Sequence, residues 1–286
     1  MKRTLIATVL ASAIVTPVFA QTAPDAEATP PAPLTANVGL FSSYRFRGID
    51  QTYGKPALQG GFDYVHSSGL YVGNWNSNVQ SGAGYPDGNL EMDFYGGYKS
   101  SFGDFGIDVG ALYYYYPGSQ ARGLTGGRTT GPVDNKELYI AGSWKTVSLK
   151  WSYAIDDYFS TRGVNSSGAL NNQRTRGSNY LDLTATYDLG EGWGLVGHVG
   201  HLDYKNVHNG SYTDWKLGVT KDFSGWVVGL SYIDTNSKGQ CSGATTYQPY
   251  CFANSASDNG TGGLNTGSKF KDAGSGTAML SISRTF

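Results

Sequence analysis

Apolar and polar side chains alternate along strand-length segments of this chain. In the segment 146–159, Leu149 and Trp151 fall on one face, whereas Ser148 and Lys150 fall on the other. Because successive side chains of a β-strand point to opposite sides, this period of two predicts a strand with one apolar and one polar face. The same alternation recurs over the rest of the chain, which indicates an all-β fold.

Twelve segments of this kind can be counted. They lie near residues 37–48, 56–66, 69–79, 89–100, 104–117, 135–145, 146–159, 178–188, 192–205, 211–223, 225–236 and 273–286. Strands of globular proteins usually span about five or six residues, whereas strands that cross a bilayer at a tilt need about 9 to 11. The longer segments therefore predict a transmembrane antiparallel β-barrel of about 12 strands, in preference to a soluble β-sandwich.

The connections between the segments are of two kinds. Tight turns follow the even-numbered segments, as at 66–69 and 223–225, and longer polar links follow most of the odd-numbered ones. The largest links lie near 117–134, 160–177 and 237–272. Outer-membrane barrels typically have short periplasmic turns and long extracellular loops. An even number of strands then predicts that both chain termini are periplasmic.

Aromatic residues crowd the ends of the predicted strands. They include Tyr44, Phe46, Tyr71, Trp75, Tyr113, Tyr115, Trp144, Trp193, Trp215 and Trp226. Amphipathic aromatic rings favour the membrane–water interface, so this placement fits a barrel that spans a bilayer. Each ring taken alone is equally compatible with the filling of a protein core.

The last predicted strand alternates up to an aromatic terminal residue, Phe286. Many outer-membrane barrels end in this way. The resemblance implies that Phe286 belongs to a C-terminal assembly signal, with the barrel-assembly machinery as a partner during biogenesis.

The first residues have the layout of a secretory signal peptide. Lys2 and Arg3 precede an apolar run, and small residues lie before a cleavage point ahead of Gln21. The run is short for an uncleaved anchor, which needs about 20 apolar residues. The expected organisation is a signal peptide at 1–20, a disordered Pro/Ala-rich periplasmic lead at 21–36 and an outer-membrane β-barrel at 37–286.

Composition favours strands over helices. The chain has 41 Gly and 21 Tyr, and charged residues make up 15% of it, below the usual quarter. Each Gly inside a helix would cost about 1 kcal/mol relative to Ala, so this composition does not favour helices. A mean hydropathy of −0.33 would by itself suggest a soluble protein. The net charge of −1 provides no broad field that would attract nucleic acid.

The two cysteines, Cys241 and Cys251, lie close together in a polar stretch. An exported protein meets an oxidising compartment, where thiols pair readily. The spacing therefore favours a local disulfide over two free thiols or a metal pair, because other potential ligands nearby are scattered. We expect no metal site.

The region from residue 42 to residue 98 carries a more specific signal. It contains four runs: SYRFRGI at 43–49, PALQGGFDY at 56–64, GLYVGNWNSNV at 69–79 and EMDFYGGY at 91–98. These runs resemble the TorF family of predicted porins, a proteobacterial group without an assigned function. The resemblance implies a secreted outer-membrane protein of porin type, and it supplies no catalytic or binding residues. The loop with Cys241 and Cys251 is not a recognised feature of that family.

If the apolar face of each strand meets lipid, the polar face lines the lumen. A charge that faces lipid near the bilayer midplane costs roughly 2–4 kcal/mol, whereas a charge in a wet lumen costs little. The inward positions predicted on this basis are Arg45, Arg47, Gln59, Asp63, Asn74, Asn76, Asn78, Glu91, Asp93, Tyr95, Asp108, Glu137, Tyr139, Lys150, Asp182, Asp214 and Lys216.

Six of these charges form the predicted pore-lining set: Arg45, Arg47, Asp63, Glu91, Asp93 and Lys216. With the two arginines on the first strand and the carboxylates on strands soon after it, they could form opposed basic and acidic walls that align solutes. Alternatively, they pair across a narrow interior and plug it, because a small barrel is filled by its own side chains.

No catalytic motif accompanies these charges. His198 and His201 are three residues apart on a predicted strand, so they face opposite sides and cannot share a ligand. Neither a Gly-x-Ser-x-Gly nor a His-Glu-x-x-His motif is present in the sequence. We therefore expect neither enzyme activity nor a cofactor.

The sequence thus predicts a porin in the outer membrane of a Gram-negative bacterium, surrounded by lipid, that passively admits small hydrophilic solutes. The alternative is a non-conducting barrel whose surface loops act as an adhesin or a receptor. The solute, the openness of the lumen, the oligomeric state (a homo-oligomer included) and the role of the loop 237–272 stay open at this stage.

Overall fold

The computed structural model describes residues 33–124, 130–261 and 263–286, which form a closed antiparallel β-barrel of twelve strands. The strands are β1 Leu34–Phe41, β2 Ala57–Val65, β3 Leu70–Asn78, β4 Leu90–Phe102, β5 Phe105–Tyr115, β6 Asp134–Trp144, β7 Val147–Ala154, β8 Asn179–Gly190, β9 Trp193–Asp203, β10 Tyr212–Phe223, β11 Trp226–Thr235 and β12 Thr277–Thr285. Each strand pairs with its neighbours in the chain, and β1 closes the barrel against β12. The predicted 12-strand barrel is confirmed.

The first strand begins at Leu34, three residues before the predicted start at Asn37. The backbone of Ala36 exchanges two hydrogen bonds with Phe286, of 3.1 and 2.7 Å. This pairing holds residues 34–36 in the sheet, so the disordered lead predicted for 21–36 extends too far. The predicted signal peptide at 1–20 and the rest of the lead up to residue 32 lie outside the described residues.

The connections are unequal at the two ends of the barrel. Tight turns at 66–69, 103–104, 145–146, 191–192 and 224–225 lie at the same end as Leu34 and Phe286. The links at the opposite end are 42–56, 79–89, 116–133, 155–178, 204–211 and 236–276. We call these the turn end and the loop end.

The longer links carry short regular pieces of their own. They contain the strand pairs Arg45–Phe46 with Ile49–Asp50, Arg162–Val164 with Leu170–Arg174, Cys251–Ala253 with Phe270–Asp272, and Ala256–Asp258 with Leu264–Thr266, and the single 3-10 turns Ser81–Ala83, Ala121–Gly123 and Tyr158–Ser160. In the parts of the chain that the structure describes, no helix is both long and apolar enough to cross a membrane.

The outer face of the barrel is apolar. Leu58, Leu217 and Leu280 expose 62%, 62% and 59% of their surface. Aromatic side chains on this face near the turn end include Phe102, Phe105, Trp144, Trp193, Phe223 and Trp226. Of the aromatic residues predicted at the membrane interface, Tyr44, Phe46, Tyr71 and Trp75 are instead buried inside the barrel.

Tyrosine rings line the inner face where a neighbouring strand supplies a glycine. Tyr95 pairs in register with Gly73, and Tyr139 pairs with Gly110. A Cβ atom at Gly73 would lie 2.3 Å from the ring of Tyr95, and one at Gly110 would lie 2.6 Å from the ring of Tyr139. The missing side chain of each glycine therefore lets the ring lie close to the wall.

Candidate functional site

The link between β1 and β2 turns into the barrel. Its residues 42–56, here called the inward loop, form a short hairpin in which Arg45–Phe46 pairs with Ile49–Asp50. Arg47 and Gly48 at its tip have φ angles of 49° and 79°. Such left-handed angles make a tight turn and do not fit an extended strand. The prediction that Arg45 and Arg47 lie on the first strand is therefore wrong, because β1 ends at Phe41.

The side chain of Arg47 reaches the far wall of the barrel. Its Nη1 and Nη2 atoms donate hydrogen bonds of 3.0 and 2.8 Å to the two carboxylate oxygens of Glu137 on β6. Nη1 also donates to the hydroxyl of Tyr158 at 2.8 Å, and the guanidinium lies 4.4 Å from the ring centroid of Tyr180. Two parallel bonds from a planar guanidinium to one carboxylate form a strong and directional contact.

Burial of this ion pair is nearly complete, with 5% of the Arg47 side chain and 2% of the Glu137 side chain exposed. Burial alone would lower the pKa of Arg47, but the adjacent Glu137 carboxylate holds that pKa well above its usual range. For the neighbouring phenol the effect of burial is opposite, and it raises the pKa of Tyr158 to about 12. At neutral pH the guanidinium is therefore charged, and the phenol oxygen that accepts its bond is protonated.

The tip of the inward loop is fixed through its backbone as well. The hydroxyl of Tyr212, the first residue of β10, donates a 2.8 Å hydrogen bond to the carbonyl oxygen of Arg47. Near β1, the hydroxyl of Tyr44 donates a 3.1 Å bond to Glu91 on β4. The loop thus contacts walls on both sides of the lumen, and it crosses the barrel near the loop end.

An aromatic cluster fills the space around this loop. Phe46 packs edge-on against Tyr114 and Phe159, with ring centroids 5.6 and 5.8 Å apart. Phe159 holds a φ of 45°, which is uncommon for a bulky side chain. Its ring is nevertheless held among Phe46, Tyr114 and Tyr116. Packed aromatic side chains therefore occupy part of the mouth of the barrel.

The long link 236–276 covers the inward loop. Arg45 donates a 2.9 Å hydrogen bond to the carbonyl oxygen of Ala273, and Lys271 forms an ion pair with Asp50. The structure joins Cys241 and Cys251 by a disulfide inside this covering link. The link therefore lies over the inward loop, and its contacts hold that loop in the mouth.

Below the inward loop, three predicted carboxylates line one wall. Asp63 on β2 and Glu91 and Asp93 on β4 face inward and are buried. Asp63 accepts a 2.6 Å hydrogen bond from the hydroxyl of Tyr95. Among the described residues, no cationic side chain forms an ion pair with these three carboxylates.

The wall formed by β7 to β10 is mixed in charge. His198 on β9 lies between two carboxylates, with Nε2 2.9 Å from Asp214 and Nδ1 3.4 Å from Asp182. Lys216, a predicted pore-lining residue, faces the lumen in register with His198. Lys150 also faces inward, with its Nζ atom 3.9 Å from the ring centroid of Tyr139. Acidic and basic side chains therefore alternate along this wall.

His198 is an inward residue that the predicted set omitted. The outward side chains of Leu195 and Val199 fix the parity of β9, so His198 must face the lumen and His201 must face out. His201 indeed lies on the outer face, where it contacts Thr213 on β10. The two histidines face opposite sides, as the spacing predicts.

The inward assignment of Asn74, Asn76 and Asn78 is wrong. In β3 the side chains of Tyr71, Trp75 and Ser77 are buried inside the barrel, and the alternating positions point outward. Trp75 packs against Tyr44 of the inward loop at a centroid distance of 5.5 Å, which fixes this parity. Asn74 donates a 2.9 Å hydrogen bond to the backbone carbonyl of Asp93, so its outward amide is partly satisfied within the sheet.

No metal-binding cluster of three or more His, Cys, Asp or Glu side chains occurs in the described parts of the chain. The interior instead combines a packed mouth at the loop end with charged and glycine-rich walls toward the turn end. Such an interior can orient polar solutes by charge, provided that the inward loop leaves a passage open or moves to open one.

The sequence matches one protein family. The family is described as "Bacterial protein of unknown function (Gcw_chp)", and the match spans residues 25–256. Among curated proteins, none matches the sequence. The matching family carries the name Gcw_chp, so the TorF resemblance stays a prediction.

Several solved barrels are similar in structure. The KdgM porin in complex with disordered oligogalacturonate is 8% identical, with a TM-score of 0.47, 88% of this chain covered and 98% of the other. The NanC porin is 10% identical, with the same TM-score of 0.47 and the same coverage of 88% and 98%. OmpT of Vibrio cholerae, in a trimer form, is 10% identical, with a TM-score of 0.38 and coverage of 88% and 98%.

Proposed function

The chain belongs to the bacterial Gcw_chp family of unknown function, and from that premise we propose that it is an outer-membrane channel of porin type for small hydrophilic solutes. One observation carries the proposal: the barrel has an apolar outer wall and a charged inner wall. In water, so large an exposed apolar surface would be costly. In a bilayer the same surface contacts lipid, and the charges lie in the lumen.

The orientation in the outer membrane follows from the unequal connections at the two ends of the barrel. Short turns of outer-membrane barrels face the periplasm, so the turn end, with Leu34 and Phe286, is periplasmic and the loop end is extracellular. This orientation agrees with a cleaved signal peptide at 1–20 and with Phe286 as the assembly signal for the barrel-assembly machinery. The resemblance to the TorF family is part of this proposal.

The inward loop makes the channel a gated one. Arg47 and the aromatic cluster lie in the mouth, which supports a channel that opens when the loop shifts. The tip of the loop contacts the wall through Glu137, Tyr158 and Tyr212, and a rearrangement of these contacts can open a route without disturbing the barrel. Toward the turn end, the polar walls are then available to solutes.

Recordings from planar bilayers test this function. Purified barrel should give stepwise conductance, and the loss of every step after heat denaturation serves as the control. Persistent silence at high protein load, with correctly folded barrel, would overturn the proposal. Heat-modifiable migration on gels checks the folded barrel independently of conduction.

A non-conducting barrel that acts through its surface loops is the second candidate. The packed aromatic mouth and the disulfide-braced covering link favour it, because both stabilise the loop end as a continuous surface. Under this alternative the barrel serves as an adhesin or a receptor. Silence in bilayers combined with saturable binding of labelled barrel to a cell surface would support it.

A further inference from the structure

In the described parts of the chain, four buried oxygen atoms on the inner wall have no hydrogen-bond donor. They are Gln59 Oε1, Glu91 Oε2, Asp93 Oδ1 and Asn135 Oδ1. Their residues are between 1% and 3% exposed. Buried polar atoms are nearly always paired in folded proteins, so a group of acceptors without donors requires an explanation. We call these four residues the acceptor arc.

The members of the acceptor arc lie on neighbouring strands of one wall. Gln59 on β2 and Glu91 on β4 flank Ser77 of β3 in register. Glu91 and Asp93 are two residues apart and share the inner face of β4. Asp93 pairs with Tyr114, which pairs with Asn135 on β6. The arc therefore runs from β2 to β6 beneath the inward loop.

The amide groups of the arc have used their donors elsewhere. The Nε2 atom of Gln59 donates to Ser77 Oγ at 3.2 Å, and the Nδ2 atom of Asn135 donates to Glu137 at 3.1 Å. The unpaired atom of each amide is therefore its oxygen, as in the two carboxylates. All four unpaired atoms are oxygen acceptors.

Among the residues that the structure describes, none forms an ion pair with the two carboxylates of this wall. Arg47 is committed to Glu137, and Lys150 lies over the ring of Tyr139. A buried carboxylate without a cationic partner is unfavourable by several kcal/mol. Once the inward loop has shifted, a cation that enters the lumen would meet these acceptor oxygens, and oxygen ligands are what small hard cations prefer.

We propose that the acceptor arc is a cation subsite that makes the channel selective for cations. The inference rests on the proposed channel function and names its solute class. The candidate solutes share a compact positive charge: they are alkali or alkaline-earth ions, or molecules with a primary ammonium group. The described residues hold no cluster for tight metal binding, so the arc attracts cations in transit.

Reversal potentials in a KCl gradient test the selectivity. Wild-type channels should prefer K⁺, and the double variant Glu91→Gln/Asp93→Asn should reduce the ratio of K⁺ to Cl⁻ permeability by about threefold or more. Asp182→Asn is the matched control, since it removes an inward carboxylate that lies beside His198. An unchanged ratio in the conducting double variant would overturn the subsite.

A second measurement does not depend on conduction. In detergent, the melting temperature of the wild-type barrel should rise by about 2–4 °C when KCl, CaCl₂ or methylammonium chloride replaces the same concentration of choline chloride. The comparison of the three salts identifies the preferred cation, and the double variant should show no rise.

The two measurements separate the two proposals. Silent bilayers together with a cation-dependent rise would reject the channel and keep the subsite. Conduction without cation preference and without a rise would keep the channel and reject the subsite. If the wild-type barrel and the double variant had equal melting temperatures in every salt, the carboxyl groups would be neutralised by protons. That result would also reject the subsite.

Discussion

Arg47 and Glu137 are 90 residues apart in the sequence, yet they form a two-bonded ion pair inside the barrel. The arginine belongs to the link after β1, and the glutamate belongs to β6 on the opposite wall. This pair holds the inward loop against the opposite wall. The position of the loop in the mouth therefore depends on one titratable side chain, Glu137.

Glu137→Gln should release the inward loop. Removal of one partner leaves a buried, uncompensated guanidinium, which typically costs about 3–5 kcal/mol. The loop would escape this cost by leaving the wall, so we expect faster protease cleavage within 42–56 and larger or more frequent conductance steps. Single-channel recording and limited proteolysis measure the two effects.

Arg174→Ala is the control for that substitution. Arg174 forms ion pairs of 2.6 and 2.9 Å with Asp156 and Asp157, but its side chain is 53% exposed. Exposed pairs contribute about 0–1 kcal/mol, so loop cleavage and conductance should stay close to wild type. Equal effects of the two substitutions would show that Glu137 has no special role in holding the loop.

Gly73→Ala should displace the ring of Tyr95 from the wall. The new Cβ atom would lie 2.3 Å from that ring, so the tyrosine must rotate into the lumen or the strands must separate. Overpacking of this kind typically costs about 1–3 kcal/mol. Gly142→Ala on the outer face is the control, since nothing lies within 4 Å of its added methyl group. Denaturant unfolding in detergent should separate the two variants.

Leu217→Arg tests whether the outer wall contacts lipid. Leu217 lies in the middle of β10 and is 62% exposed. An arginine facing lipid near the midplane costs roughly 2–4 kcal/mol. We expect a loss of that size in liposomes and little loss for Thr220→Arg, which places the same charge on the inner face of the strand. Equal losses would contradict the inward and outward assignment.

Replacement of both Cys241 and Cys251 by serine should loosen the covering link and leave the barrel intact. The bond closes a short loop, with a sequence separation of 10, and loops of this size gain about 2–3 kcal/mol from a disulfide. We expect unchanged heat-modifiable migration and faster cleavage within 236–276. Loss of the folded band would show instead that the bond supports the barrel itself.

The barrel could be predicted because each strand repeats one local rule. Val147, Leu149 and Trp151 share the outer face of β7, and Lys150 and Ser152 share the inner one. The turn geometry adds a second local signal, which separates the turn end from the loop end. Strand number and strand limits followed from these two signals to within a few residues at most ends.

The interior could not be predicted in the same way, because it depends on long-range contacts. Arg47 looks like part of a strand in the sequence, and only its contact with Glu137 shows that it belongs to an inward loop. Trp75 and Asn74 compete for the inner face of β3, and the contact between Trp75 and Tyr44 decides between them. The predicted alternatives of opposed charged walls and of a plugged interior stay predictions.

The seam between β1 and β12 determines when the barrel can form. One edge of residues 37–41 pairs with the nearby residues 57–61, but the other edge pairs with 281–285, almost the whole length of the chain away. Until the last strand is delivered, β1 and β11 each present an unpaired edge, which is a template for pairing with other chains. A chain shortened before β12 is therefore expected to aggregate rather than to yield a smaller barrel, and closure must be the final event of folding.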